Sequence, residues 1–171
     1  MKKTTILVCL IFLFASQSFA KTPWPPPSNP GDLKVTVVAA GSPQYLKDWV
    51  DPKMLNKVTI KRIHEVKVEQ VAYCGFLITG LTPSSKAIST LQYSVGFKLY
   101  GPDRSLVFHE PNYTRGQIKD PKKPVYIMAD PALDLVLEQS DPAGAYILEG
   151  IVTDLVSRKT ATNTYTITLV K

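Results

Sequence analysis

Cysteine is scarce in this chain of 171 residues: Cys9 and Cys74 are its full complement. Cys9 lies in an N-terminal apolar run expected to be cleaved off, so a mature chain would keep Cys74 alone and could form no internal disulfide. Cys74 sits between Tyr73 and Gly75 in the apolar stretch VAYCGFLITGL. There it reads as a small buried hydrophobe, and an intermolecular disulfide is the alternative to it. Histidine is equally sparse, with His64 and His109 the whole supply. A catalytic thiol needs a histidine and an orienting group converging on it, and no local spacing supplies them.

Other absences narrow the chemistry further. A metal site would need clustered His, Cys and carboxylates, and the nearest approaches are His64-Glu65 and His109-Glu110. Adjacent residues on a strand point to opposite faces, so neither pair can chelate one ion. With nine glycines in the chain, no Gly-rich phosphate loop or dinucleotide fingerprint follows an expected strand. Gly-x-Ser-x-Gly is missing, which removes the nucleophile elbow. Asp48, Asp51, Asp130, Asp141 and Asp154 mostly fall at turns or strand ends, where aspartate caps local backbone donors. The sequence therefore predicts no catalytic residue, no metal and no cofactor.

Long apolar runs are absent beyond the first twenty residues. Those twenty have a basic head at Lys2 and Lys3, an apolar run from Ile6 to Ala15, and small residues at Ser18 and Ala20. That layout is a Sec-type secretory signal peptide of bacterial character, cleaved after Ala20. Its apolar run is shorter than the ~20 residues a bilayer span requires, and no membrane span is expected after cleavage. The predicted destination is the periplasm or the extracellular space. Loss of Lys2 and Lys3 lowers the formal charge from +6 to +4, too mild a balance for a nucleic-acid footprint.

Residues 21–32, KTPWPPPSNPGD, hold five prolines, which exclude helix and central strand and favour an extended lead. Trp24 would be its anchor if the lead docks on a partner. From residue 33 to 171 the chain reads as one domain. Ser42 and Pro43 open a short helix near residues 43–50, with Tyr45, Leu46, Trp49 and Val50 at helical spacing and Trp49 as the expected core plug. Strand alternation then dominates: Tyr93, Val95, Phe97 and Leu99; Leu133, Leu135 and Leu137; Tyr165, Ile167 and Leu169. Gly75 and Gly150 lie inside strands; Gly75 is expected to mark a bulge or a bend, and Gly150 a bulge. Residues 112–124 read as the longest irregular loop, and Arg115, Lys119, Lys122 and Lys123 make it the main local charge bias and the candidate surface for an anionic partner.

Seven to nine strands separated by turn signals predict an all-β fold, an antiparallel immunoglobulin-like β-sandwich with one short helix. The stretches YGPDRSLVF, ALDLVLEQSDPAGAYILEGIVTDLVSRKTA and TYTITL resemble exported bacterial proteins that carry such a domain, with its Asp-Pro-Ala-Gly-x-Tyr corner. The resemblance runs from Tyr45 to Leu169. It implies the fold and carries no catalytic residue over to this chain. In the corner, Asp141 is expected to bond a backbone N–H two residues on, Gly144 to close the turn, and Tyr146 to bury its ring and tie down its hydroxyl.

These features predict a non-enzymatic interaction module whose partner is another envelope or extracellular protein. Contact would come through a sheet edge, the 112–124 segment or the Pro-rich lead. The alternative is a small secreted hydrolase or carbohydrate-binding domain, with Trp24, Tyr113 and Tyr126 as an exposed stacking surface or two carboxylates paired in a cleft. The oligomeric state is left open by the sequence.

Overall fold

A computed structural model describes residues 31–51, 53, 58–85, 88–121 and 126–171. The expected signal peptide (residues 1–20), Cys9, Trp24, Lys122, Lys123 and nearly all of the Pro-rich lead lie outside the described residues. The rest folds as two packed sheets. Strands β1 (Lys34–Ala40), β3 (Ala72–Thr79), β6 (Ile127–Met128) and β7 (Leu133–Leu135) form one sheet. The other holds β2 (Glu65–Lys67), β4 (Thr90–Tyr100), β5 (Leu106–Lys119), β8 (Gly144–Asp154) and β9 (Thr160–Val170), in the order β2-β9-β8-β4-β5. Pairing is antiparallel except for β2, which runs parallel to β9. The molecule is an all-β sandwich of immunoglobulin-like type.

Two-residue periodicity explains the core. Val35, Val37 and Ala39 of β1 and Ala72, Cys74, Phe76 and Ile78 of β3 point inward. They meet Tyr93, Val95, Phe97 and Leu99 of β4, and Tyr165, Ile167 and Leu169 of β9, from the opposite sheet. At roughly 1.5–3 kcal/mol for each large apolar side chain removed from water, this layer dominates folding. The continuous apolar run of β3 is covered on both faces, as the sequence implies. Its outer face is closed by helix α1 (Gln44–Val50), whose Tyr45 is buried and donates its hydroxyl hydrogen to the Tyr73 carbonyl at 3.1 Å.

Several expectations need correction. Trp49 is only half-buried and Val50 is 78% exposed, so Tyr45 is the plug under α1. Gly75 and Gly150 sit in unbroken register, Val38 opposite Gly75 and Phe97 opposite Gly150. Both mark close approach rather than bulges. A Cβ on Gly150 would lie 2.6 Å from Val37 Cγ2 and 2.8 Å from Phe76 Cδ1, atoms of the facing sheet.

The 112–124 segment is not a loop through most of its length, because β5 continues to Lys119. Pro111 and Asn112 are absorbed in an irregularity. Pairing jumps from Phe97–Glu110 to Val95–Thr114, leaving two extra residues on β5. Gly96 permits this: a Cβ there would lie 2.6 Å from the Pro111 carbonyl oxygen. Proline tolerates such a position because β5 is an edge strand and has no ladder partner on that side.

Candidate functional site

Of the residues singled out for binding, the structure describes Arg115 and Lys119. Both are exposed on β5, four residues apart and therefore on one face, roughly 13 Å along the strand. Arg115 donates to Asn112 Oδ1 at 3.1 Å. They form a spaced strand face in place of the expected basic loop. Of the proposed stacking aromatics, Tyr113 and Tyr126 are half-buried, and Tyr113 donates its hydroxyl hydrogen to the Ala132 carbonyl at 2.9 Å.

A different site emerges at the other end of β5. The hairpin joining β4 to β5 is held by two backbone bonds of 2.9 Å, the Gly101 N–H donating to the Ser105 carbonyl and the Arg104 N–H to the Gly101 carbonyl. Asp103 Oδ1 accepts the Ser105 N–H at 2.9 Å and its hydroxyl at 2.6 Å, and the Ser105 hydroxyl leads in holding that carboxyl below its usual range. At the end of the irregularity, Tyr113 and Thr114 tether β5 to the connection between β6 and β7, Thr114 donating to the Asp130 carbonyl at 2.6 Å. The first half of β5 has no such tether among the described residues. Leu106, Val107 and Phe108 there are each more than half exposed.

Between this free half of β5 and the segment through β7 lies an open groove of about 490 Å³. Phe97, Leu99 and Leu148 form its floor. Phe108 stacks on Phe97 with ring centroids 5.6 Å apart, and Tyr113 meets Phe97 edge-on at 5.2 Å. The far wall is Leu133 to Leu137, where Val136 is 43% exposed. With Val107 and Phe108 across the groove, the wall presents apolar surface grouped in one place, the arrangement that marks interaction sites.

Among the described residues, the charged ones lining the groove are all acidic: Glu110, Asp134 and Asp141. Two of them hold local backbone. Glu110 Oε1 accepts the Asn112 N–H at 3.0 Å, and Asp141 Oδ2 accepts the Glu138 N–H at 2.7 Å. The Asp141 bond thus runs back to Glu138, where a bond two residues forward was expected. Asp134 sits near enough to Tyr113 and Cys74 to oppose their ionisation, after burial, which is the larger cause in both. Burial pushes the Cys74 thiol up to about 12, so it carries no thiolate for nucleophilic work.

The remaining chemistry-bearing residues stand apart. His64 is exposed and stacks on Tyr165 at 5.0 Å, and His109 is exposed on β5. Among the described residues no three of His, Cys, Asp and Glu gather as metal ligands would, and no helix is long and apolar enough to cross a membrane.

The groove was missed in the sequence because Leu106-Val107-Phe108 has the apolar character of any strand. Pro111, three residues on, was the usable signal, since proline within a strand marks an edge.

No family model matches the chain, and no curated protein matches it. Among solved structures it is similar to a β-glucuronidase from Bacteroides uniformis, at 12% identity and a TM-score of 0.39, over 58% of this chain and 11% of that one. It is also similar to a CARDB domain of a Pyrococcus furiosus protein in complex with di-metal ions, at 14% identity and a TM-score of 0.39, over 81% of this chain and 88% of that one. The chain thus spans about a tenth of the glucuronidase.

Proposed function

We propose that this protein is an exported, non-enzymatic interaction module that binds another envelope or extracellular protein along the free half of β5. The observation that carries the reading is the exposed Leu106–Phe108 run on a terminal strand, whose Val107 and Phe108 line an apolar groove. A terminal strand presents unpaired backbone N–H and C=O groups, a ready template for a partner strand. The groove beside it offers apolar pockets for that strand's side chains. Export rests on the basic head, apolar run and Ser18–Ala20 site of the sequence.

The alternative, a small secreted hydrolase or carbohydrate-binding domain, draws on the carboxylates at the groove. Two of these already hold turns, which favours the docking role.

Site-specific photocrosslinking in the native envelope tests the reading. Benzoylphenylalanine in place of Phe108 should yield discrete adducts with a protein partner, and the same group in place of the exposed Thr162 on β9 should not. Equal labelling from both positions would overturn it. So would turnover of a glycoside or ester panel that disappears in Glu110→Gln.

A further inference from the structure

Resting on that reading, we infer that the occupant of the groove is an extended polypeptide segment in which large apolar residues are interleaved with lysine or arginine. The chain carries 20 basic and 14 acidic residues, yet among the described residues every charged one lining the groove is acidic: Glu110, Asp134 and Asp141. The inversion is local and borders an apolar surface. A carboxylate at such a margin interacts more strongly with a partner charge than one in open water, because the neighbouring medium screens less. An acidic segment would meet like charge on entry, and a neutral one would cover the carboxylates without supplying a countercharge.

Strand geometry fits the same occupant. A segment added to β5 repeats each side-chain direction about every 6.6 Å. Its apolar residues can enter against Phe97, Phe108 and Val136. Lysine or arginine stems can lie along Val107 with their charged ends at the acidic rim.

A second copy of this chain is a poorer occupant. Residues 106–114 read LVFHEPNYT, so a β5-to-β5 dimer paired over this stretch would lack the alternation of apolar and basic residues and would add a second Glu110.

Fluorescence anisotropy on the full chain tests the inference, using labelled eight-residue peptides that alternate valine with lysine or valine with glutamate. The lysine peptide should bind at least about tenfold more tightly than the glutamate peptide. That preference should fall to about twofold or less in Glu110→Gln/Asp134→Asn, and likewise in Asp134→Lys, which alters one exposed side chain and spares the turn at Asn112. Equal binding of the two peptides would overturn the inference, as would a preference that survives both variants. A dimer in sedimentation that Phe108→Asp dissociates would identify a second copy as the occupant and overturn it too. Loss of peptide binding with crosslinking from position 108 intact would reject the basic segment alone and leave the interaction reading standing. Loss of both would reject both.

Discussion

Asp154 accepts the backbone N–H of Thr82 at 2.8 Å, a bond between residues 72 apart in sequence. The same fully buried carboxylate accepts the N–H groups of Val156 and Ser157 at 2.9 and 3.2 Å and the Ser157 hydroxyl at 2.7 Å. One side chain therefore closes the β8–β9 turn and pins the strand-to-strand connection that leaves β3. Burial pushes the carboxyl up, but the Ser157 hydroxyl and the Thr82 and Val156 donors outweigh it and hold the group below the usual carboxylate range.

Replacing Asp154 with alanine should cost about 3 kcal/mol, because several donors then lose their acceptor in a buried site. The folded carboxyl titrates lower than the unfolded one, near 4 in free chains. Its contribution is complete above that unfolded value and is lost as pH falls through the folded value. Urea titrations at pH 7 and near pH 3 should show a smaller stability loss on acidification for Asp154→Asn than for the parent.

Gly150→Ala should destabilise by about 2 kcal/mol, since its Cβ would meet Val37 and Phe76 from the facing sheet in a packed core. Gly75→Ala should cost less. The nearest atoms there are Met128 Sδ at 2.8 Å and Tyr45 Oη at 2.9 Å, and the half-buried, unbranched Met128 side chain can shift. Thermal melts of the two variants, compared directly, check the order.

Tyr146 donates its hydroxyl hydrogen to the Pro142 carbonyl at 2.9 Å, with its ring buried. Tyr146→Phe removes that bond alone and should lower stability by about 1 kcal/mol. Gly144, two residues earlier, has φ +134° with Pro102 packed against it. Gly144→Ala should therefore cost more than Tyr146→Phe, and equilibrium unfolding of both variants would show an inverted order if the corner were held otherwise.

Cys74 is fully buried and its thiol is pushed up to about 12. At pH 8 the native protein should fail to react there with a thiol reagent, and urea should restore the reaction. A dimer on non-reducing gels that vanishes with Cys74→Ser would contradict this.

Where the physics is local or strictly periodic, the sequence by itself decided the outcome. Alternation in 93–99 and 165–169, the double-faced run of β3, the Pro43-led helix and the tyrosine corner all follow from spacing and torsional preference, and the sandwich follows from them. Tertiary structure decided the rest. Whether Gly150 makes a bulge or a close contact depends on the sheet opposite it, which lies more than 70 residues away in sequence at Phe76. Whether residues 112–119 form loop or strand depends on Gly96, which yields room for Pro111 on a neighbouring strand. The groove exists because Tyr113 and Thr114 tie down only half of β5. That tether joins side chains to carbonyls 16 and 19 residues away, and neither hydropathy nor charge along the chain encodes which half of a strand is left uncovered.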